Sequence, residues 1–437
     1  MRTSPRKLTL VALIAATYFM VAGGPFGLED IVMRSGYAGA FLILLITPII
    51  WSLPTALMVS ELASAIPEDG GYYVWVKRGM GNFWGYQEAW LSMVAGFFDM
   101  AIYPTLFVGY LGHLAPSVTA HGRGIWIGVA LIAASSLWNL LGSKMVGGSS
   151  VVMGIVLLTP FAVLTVYALF QRNVGGGQSI PLRNVDFLGA IAVAMFNYMG
   201  WDDASPIAGE VDRPQRTYPI AMGVTVLLVA ATYILPIAAV GLTGVDANHW
   251  TTSGWSEVAR AVFHGGTAGS LAAIALTIGG MLGAAGTLNA FTMSYSRIPA
   301  VLADDGYLPR ALSRRNAAGA PWVSILVCSV IWALFLQMSF VELILLDVLL
   351  KGLSVLLEFA ALVALRRREP ELRRPYRIPG GMLGAVAVGI PPLALLALTA
   401  ARTENEPLGP INSLQLGVIL IGAGVVAYFI GDRFRKS

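Results

Sequence analysis

The sequence of 437 residues has little charge and almost no cysteine. Only 12% of the residues are charged, about half the fraction that is usual in soluble domains, whereas 56% are hydrophobic. This composition argues against a soluble protein and predicts an integral membrane protein. The one cysteine, Cys328, lies in an apolar run, so an intrachain disulfide is excluded.

Motifs for nucleotide binding, metal binding and catalysis are also missing. The sequence has no Gly-x-x-x-x-Gly-Lys-Ser/Thr phosphate loop, which argues against ATP-driven pumping. Its four histidines lie near predicted loops and lack the spacing of metal ligands. We therefore expect no enzyme activity, no catalytic residues, no cofactor and no bound metal.

Apolar runs of about 20 residues recur along the chain, and each is long enough to cross the hydrocarbon core as a helix. Hydropathy predicts an all-α membrane protein with about twelve spans. The predicted spans are residues 9–33, 39–63, 84–114, 123–142, 149–170, 187–209, 219–243, 267–297, 322–340, 342–365, 381–401 and 411–431. The basic and apolar start resembles a signal peptide, but its apolar stretch continues past Gly24, so we expect it to be retained.

The basic residues predict how these spans are oriented. With the N-terminus in the cytoplasm, 21 of the 28 lysines and arginines fall in cytoplasmic segments and six in external ones. This bias predicts a multi-pass protein of the plasma (inner) membrane with both termini in the cytoplasm. It also accounts for the net charge of +4 without nucleic acid as a partner, because the basic excess faces anionic lipid.

The first span contains a cluster of helix-breaking residues, Gly23–Gly27, which is followed by Glu29 and Asp30. Proline removes a backbone donor, and glycine tolerates non-helical angles. Freed backbone groups in hydrocarbon cost several kcal/mol unless protein or a water-filled cavity surrounds them. The cluster therefore predicts a broken helix that lines a cavity. A simple proline kink, filled by neighbouring side chains, is the alternative.

The sixth span has a matching interruption. Gly200 lies in the middle of the span, Trp201, Asp202 and Asp203 follow it, and Pro206 comes one turn later. Two interrupted spans that lie five spans apart predict inverted repeats with a binding site at the midplane. We expect a first repeat at residues 9–170, a second, inverted repeat at 187–366 and two additional helices at 381–431.

Several segments resemble a known family. They include "GGPFGLED", "SELASAIPEDGGYYVWV", "WDDASPIAGEVDRPQRTYPIAM" and "DDGYLPRALSRRNAAGAPWVSIL", and the matches run from about residue 20 to residue 380. They resemble the amino acid/polyamine/organocation transporter superfamily, most of all the polyamine–proton symporter group of plants and protists. The resemblance implies the leucine-transporter-type fold with 5+5 inverted repeats, alternating access and proton coupling.

The sequence also departs from this family. Related amino-acid transporters have a lysine in the fifth span that stands in for sodium, whereas this chain has Leu157 near that position. The plant relatives have a single acid after the sixth-span tryptophan, whereas this chain has Asp202 and Asp203. Lys351 in the tenth span is not part of the family pattern. Proton coupling, sodium coupling and the exact substrate therefore stay open.

Charged residues at bilayer depth are candidates for function, because their burial is costly. Glu29 and Asp30 point about 100° apart on a helix, so we expect only Glu29 to face the cavity. Asp99 has Tyr103 one turn further along and is a candidate for binding an amine or a proton. The alternatives are acids solvated at the outer mouth and a structural hydrogen bond from Asp99.

Asp347 and Lys351 are four residues apart in the tenth span and can pair along the helix. Lys351 is either part of this internal pair or a coupling group that pairs with Asp99 or Asp202. Trp201 and Phe26 can cover a cationic substrate by cation–π contact, or they pack in the core.

The predicted site residues fall into two groups. The predicted substrate-binding residues are Gly23, Gly24, Phe26, Gly27, Glu29, Asp99, Tyr103, Asn197, Gly200, Trp201 and Asp202. The predicted coupling or gating residues are Asp99, Lys351, Asp347, Asp203 and Glu61. Further inner-gate pairs are expected among charges near residues 61–78 and 210–214, and solvated loop charge is the alternative. Glu358 in the tenth span is expected at the inner vestibule.

Together these features predict a secondary transporter, a symporter that uses the proton gradient to import a small organic cation or an amino acid. The acids in the membrane favour a polyamine as the substrate. The alternatives are a neutral or cationic amino-acid permease or exchanger, and a sensor that does not transport. The expected partners are the small-molecule substrate and the lipid bilayer, and the sequence leaves the oligomeric state open.

Overall fold

A computed structural model describes residues 7–171, 186–247, 250–251, 254–338, 340–403, 407–408 and 411–436. Helices dominate this part of the chain. The α-helices are α1 Leu10–Val21, α2 Glu29–Thr47, α3 Leu53–Ala65, α4 Tyr72–Met80, α5 Asn82–Leu114, α6 Pro116–Thr119, α7 Arg123–Asn139, α8 Ser143–Phe170, α9 Phe187–Asn197, α10 Pro214–Gly241, α11 Trp255–Val262, α12 Gly266–Tyr295, α13 Arg297–Asp304, α14 Trp322–Leu334, α15 Phe340–Arg368, α16 Gly381–Ala387, α17 Ile390–Thr403 and α18 Ser413–Lys436.

Other regular structure is short. A π-helix, Pro48–Ser52, joins α2 to α3, and 3-10 helices lie at Asp202–Glu210, Arg310–Ser313 and Phe335–Gln337. Strand β1 (Pro407–Leu408) pairs antiparallel with β2 (Ile411–Asn412). Close to the N-terminus, Leu8 forms an isolated parallel bridge with Val211.

Within the described residues, eight helical segments are long and apolar enough to cross a membrane. They are Glu29–Ala65, Asn82–Leu114, Ser143–Phe170, Pro214–Gly241, Gly266–Asp304, Leu346–Arg368, Gly381–Leu398 and Leu414–Arg433. Two shorter apolar helices, Leu10–Val21 and Trp322–Gln337, lie in the predicted first and ninth spans. With α7 as the fourth span and α9 as half of a broken sixth span, these helices confirm the predicted all-α fold.

The boundary between the first two spans differs from the prediction. The sequence placed residues 9–33 in one span and 39–63 in the next, whereas α2 runs on from Glu29 to Thr47 across a kink. The kink lies at Gly36, whose φ of 66° is accessible to glycine at little cost. The second half of the first span is therefore only the short stretch 29–35.

Both predicted helix breaks are present. The first separates α1 from α2, and within it Gly23, Gly24 and Gly27 have φ values of 57°, 100° and 83°. The second separates α9 from the 3-10 helix Asp202–Glu210, hereafter the sixth-span 3-10 helix, and Gly200 lies in it with a φ of 93°. Positive φ is unfavourable for residues with a side chain, which explains glycine at these positions.

The two breaks pack directly against each other. A Cβ atom on Gly200 would lie 2.2 Å from the carbonyl oxygen of Met20 at the end of α1. The Tyr233 hydroxyl donates hydrogen bonds to the Asn197 oxygen (2.9 Å) and the Ala22 oxygen (3.3 Å), so one side chain satisfies a freed carbonyl of each break. The repeat boundaries 9–170, 187–366 and 381–431 stay a prediction, and they include segments outside the described residues.

Three helices outside the predicted spans cover the bundle. On the side predicted to face outward, α11 lies over the first break, where Trp255 Nε1 donates to the Pro25 oxygen at 2.7 Å. On the side predicted to face the cytoplasm, α4 packs against α5 and α15, and α13 follows α12.

Candidate functional site

A cavity of about 60 Å³ lies where the two breaks meet α5, α12 and α15. It brings together nine of the residues that the sequence predicts for the site. They are Gly23, Phe26, Asp99, Tyr103, Asn197, Gly200, Asp203, Asp347 and Lys351.

Five other predicted residues surround the cavity without lining it. Gly24 packs near Leu157, and Gly27 packs against Asn197. Glu29 is buried at the start of α2, where the hydroxyl of Tyr110, a cavity-lining residue, lies 3.4 Å from its Oε1. The other two, Trp201 and Asp202, are fully buried behind the cavity.

Trp201 points into the protein, because its Nε1 donates to the Tyr198 oxygen at 2.8 Å. It therefore packs in the core of this structure, which was one of its two expected placements. Phe26 is on the cavity wall, with its ring 5.1 Å from that of Tyr110 and 5.0 Å from that of Phe161. Of the two aromatic candidates, only Phe26 is placed to cover a substrate.

Asp99 is held by two tyrosines. The Tyr103 hydroxyl donates to Asp99 Oδ1 at 2.5 Å, and the Tyr295 hydroxyl donates to Oδ2 at 3.1 Å. The same Tyr295 hydroxyl lies 3.4 Å from Asp203 Oδ2. Tyr295 on α12 thus joins the acid of α5 to the acid of the sixth-span 3-10 helix. Among the described residues, no lysine or arginine pairs with Asp99.

Lys351 on α15 forms the ionic centre of the site. Its Nζ lies 2.5 Å from Asp202 Oδ2 and 2.6 Å from Asp203 Oδ1, and all three side chains are buried. The ammonium group also faces the rings of Tyr72 at 5.0 Å and Tyr295 at 6.0 Å. These contacts tie α15 to the sixth-span 3-10 helix.

This pairing identifies the partners of Lys351, whereas its role in coupling stays a prediction. The predicted pair along the helix with Asp347 is not formed, and Asp347 Oδ1 is buried without a hydrogen-bond partner in the described structure. The side chain of Lys351 is turned toward the sixth span, where the two carboxylates of Asp202 and Asp203 are available. Of the expected distant partners, Asp202 is confirmed, whereas Asp99 binds tyrosines instead.

The cavity wall has more acid than base. Asp99, Asp203 and Asp347 line it, and Lys351 is its one cationic residue among those described. Since Lys351 also faces Asp202, it cannot neutralise all of these carboxylates. An uncompensated carboxylate away from water is costly, so such a group either binds a cation or takes up a proton. The site is therefore suited to a cationic ligand.

Aromatic residues that the sequence did not single out complete the wall. Phe291 stacks between Tyr103 and Tyr295, with ring centroids 5.5 Å and 4.9 Å away. Tyr110 follows Asp99 by eleven residues, or about three helical turns, so the two side chains lie on the same face of α5. The sequence spacing could therefore have identified Tyr110 as a residue of the site. Phe291 and Tyr295 have no charged neighbour on α12, and no signal in the sequence marked them.

Glu61 belongs to a different site. It is fully buried on α3, and Arg366 contacts its two carboxylate oxygens at 2.8 Å and 2.5 Å. Arg374 Nε (3.3 Å) and the Ile378 backbone nitrogen (2.7 Å) also contact this carboxylate. The cluster joins α3, α15 and the segment that follows α15, and a gating role for Glu61 stays a prediction.

More ion pairs lie on the side predicted to face the cytoplasm. The pairs are Lys77–Asp305, Arg78–Glu369, Arg315–Asp69 and Arg297–Glu210. Each joins segments that are distant in sequence, and the predicted gating role of these pairs stays a prediction.

Comparison with known proteins identifies the family. Residues 9–419, nearly the whole chain, match the family described as amino acid permease. The chain belongs to this amino acid permease family. The permease is 33% identical to the polyamine transporter PUT1 of Oryza sativa subsp. japonica, over all of this chain and 80% of the relative. It is 35% identical to a probable polyamine transporter of Arabidopsis thaliana, over 95% of this chain and 85% of the relative.

More distant matches agree with this assignment. The permease is 26% identical to the serine/threonine exchanger SteT of Bacillus subtilis, over 89% of this chain and 87% of SteT. Its fold is similar to that of MhsT, solved in complex with L-phenylalanine, with a TM-score of 0.64 at 16% identity. That match covers 91% of this chain and 99% of MhsT, and it shows the leucine-transporter-type fold. The protein is therefore a membrane transporter and not an enzyme.

Proposed function

We propose that this permease imports polyamines by symport with protons. The observation that carries the proposal is the excess of buried carboxylates over cations around the cavity, which suits a polycation. The relatives in rice and Arabidopsis that are named polyamine transporters support the same substrate. The bias of basic residues supports a plasma-membrane protein whose two termini face the cytoplasm.

The shape of the acidic region supports an elongated substrate. Asp99 contacts Tyr103, and Glu29 contacts Tyr110, seven residues further along α5. Seven helical residues span about 10 Å, so the two acidic centres, Asp99 on the cavity wall and Glu29 behind Tyr110, lie at some distance from each other. A polyamine carries ammonium groups at both ends of a flexible apolar chain. The ring of Phe26 on the cavity wall can cover the chain or an ammonium group.

An amino acid fits the same site less well. Its carboxylate would need a helix N-terminus or a cation, and the first turn of α2 carries Glu29 and Asp30. Lys351 is already engaged by Asp202 and Asp203. The relation to SteT keeps amino-acid exchange as a measurable alternative.

The decisive experiment is uptake into liposomes that contain the purified protein. With an inward proton gradient, we expect putrescine or spermidine to accumulate, and arginine, leucine and alanine not to. A protonophore should abolish the accumulation. Uptake of a neutral amino acid without polyamine uptake would contradict the proposal, and so would polyamine uptake that ignores the proton gradient.

The same assay tests the acids of the site. Asp99→Asn should raise the KM for polyamine about 10- to 100-fold, because a charge-assisted hydrogen bond contributes about 1.5–3 kcal/mol. Glu29→Gln and Asp202→Asn should each either abolish uptake or uncouple it from the proton gradient. Asp212→Asn removes an exposed acid and serves as the control. Full pH-dependent uptake in all three site variants would refute these roles.

A further inference from the structure

A second group of buried acids lies between the cavity and the side predicted to face the cytoplasm. Glu88 is on α5, eleven residues before Asp99, and Glu358 is on α15, seven residues after Lys351. Both side chains are completely buried, and neither lines the cavity. Glu88 was not singled out by the sequence, and burial of Glu358 differs from its expected place in an inner vestibule.

The two carboxyl groups are only partly satisfied. Glu88 Oε1 accepts hydrogen bonds from Ser354 and from Ser92 (3.1 Å), whereas its Oε2 has no partner in the described structure. Neither oxygen of Glu358 accepts a hydrogen bond from a described residue. The Glu358 carboxyl lies beside that of Asp202, whose Oδ1 is also without a donor.

The charges around this group do not balance if every acid is ionised. The titratable groups that face Glu88 or Glu358 are Asp202, Lys351 and Tyr72, on the sixth-span 3-10 helix, α15 and α4. Asp203 joins this group because it pairs with the same Lys351. Four carboxyl groups thus share one ammonium group. Each uncompensated buried ion costs several kcal/mol, and adjacent carboxyl groups avoid this cost by holding a proton between them.

A proton fits this place better than a metal ion. No group of three or more potential metal ligands occurs among His, Cys, Asp and Glu of the described residues. A proton needs only one carboxyl oxygen and an acceptor, and Glu358 and Asp202 Oδ1 supply both.

We propose that Glu88 and Glu358 form the binding site of the coupling proton and that Asp202 links this site to Lys351. The proposal rests on the proton symport proposed above. In the loaded state, protonated Glu358 donates its O–H to Asp202 Oδ1. On release, the O–H bond breaks, the proton passes to water on the cytoplasmic side, and the carboxylate of Glu358 remains.

Release of the proton would act on the packing of two elements. Glu358 lies on α15 and Asp202 on the sixth-span 3-10 helix, and Lys351 ties the same two elements together. Without the proton, two carboxylates face each other at this contact, and separation of the elements relieves the repulsion. Proton release is thereby coupled to opening of the site toward the cytoplasm.

The test compares two modes of transport by the full-length protein in liposomes. Glu358→Gln mimics the protonated acid permanently. We expect it to lose proton-driven spermidine accumulation at least tenfold, and to keep spermidine counterflow without a gradient within about twofold. The proton influx that accompanies uptake, followed with a pH dye inside the liposomes, should also disappear. Glu88→Gln should behave similarly, and Glu371→Gln, which changes an exposed acid, should behave as wild type.

Several outcomes would overturn the proposal. Proton-driven accumulation by Glu358→Gln would do so, and equal loss of counterflow would assign Glu358 a structural role instead. If Glu358→Gln does not fold, Glu358→Asp keeps a carboxyl group and must retain coupling with a shifted pH profile. If the wild-type protein accumulates no spermidine with a proton gradient, the proposed symport fails first. If only the variants lack the expected effect, the proton site alone is refuted.

Discussion

Lys351 combines, within one side chain, an ion pair with two carboxylates and contacts with two tyrosine rings. Asp202 and Asp203 are both within 2.6 Å of its ammonium group, and all three residues are shielded from solvent. Removing one member of such a buried group leaves its partners charged and unpaired, which costs more than the pair itself contributes.

We therefore expect Lys351→Met to destabilise the folded protein by about 3–5 kcal/mol. Thermal unfolding in detergent, followed by loss of the monodisperse peak in size-exclusion chromatography, measures this change. Lys77→Met is the matched control, because Lys77 pairs with Asp305 at a partly exposed position, where a pair contributes about 0–1 kcal/mol. The double variant Lys351→Met/Asp203→Asn should regain part of the loss. Equal unfolding of both lysine variants would contradict the central role of Lys351.

The sequence identified Lys351 and its acidic environment, but it could not show which acid pairs with the Lys351 ammonium group. Asp347 is a local candidate at four residues, whereas Asp202 is 149 residues away. The choice depends on how α15 is rotated against the sixth span, and that rotation is set by packing across the whole bundle. Glu88 was missed for a related reason, since its side chain is enclosed by the packing of α5 against α15, where Ser354 donates to its Oε1.

The elements that carry the site are held by contacts between backbones. Gly283 of α12 faces the first break, and a Cβ atom on it would lie 2.2 Å from the Gly23 carbonyl oxygen. Gly200 makes the corresponding approach to Met20 from the second break. These glycines allow α12 and the two broken spans to come close enough to enclose the cavity.

Gly283→Ala should consequently disturb the site, although alanine is the better helix former. We expect at least a tenfold loss of substrate affinity, or loss of folded protein, because either α12 or the Gly23 carbonyl must move. Gly223→Ala provides the control, since Gly223 is also helical but a Cβ atom there meets no atom within 4 Å. The rise in unfolding temperature on addition of substrate measures binding by both variants and by the wild type. Unchanged binding by Gly283→Ala would show that the contact can relax.

At the scale of secondary-structure elements, the sequence predicted the broken spans well, because clustered glycine and proline are direct signals of backbone geometry. It did not predict α4, α11 and α13, which are helices of eight or nine residues between the spans. Short helices of this kind form mainly through tertiary contacts, such as that of Trp255 with the Pro25 oxygen. The Gly36 kink was also missed, since a single glycine in an apolar run is a weak signal.

At the scale of the whole molecule, ion pairs on the side predicted to face the cytoplasm join segments that are distant in sequence. One of them, Arg78–Glu369, joins α4 to the end of α15 with contacts of 2.8 Å and 2.6 Å. The hydrogen bonds from Arg78 lower the pKa of the Glu369 carboxyl below its usual value. A lowered pKa means that the pair stabilises the contact between α4 and the end of α15 above the ordinary pKa of glutamate, about 4.3. This stabilisation is lost as the pH falls through the lowered pKa.

Glu369→Gln should therefore loosen α4 at neutral pH and have no further effect in acid. The pair is partly exposed, so its contribution is below about 1 kcal/mol, which is at most about a fivefold change in the open population. Hydrogen-exchange protection of α4 measures this population from pH 7 to below pH 4. We expect the wild type and Glu369→Gln to differ at pH 7 and to converge at the acidic end, where the wild-type pair is also lost. Glu371→Gln, two residues away and exposed, should follow the wild type throughout. A constant difference between Glu369→Gln and wild type at all pH values would show that Glu369 acts through packing and not through its charge.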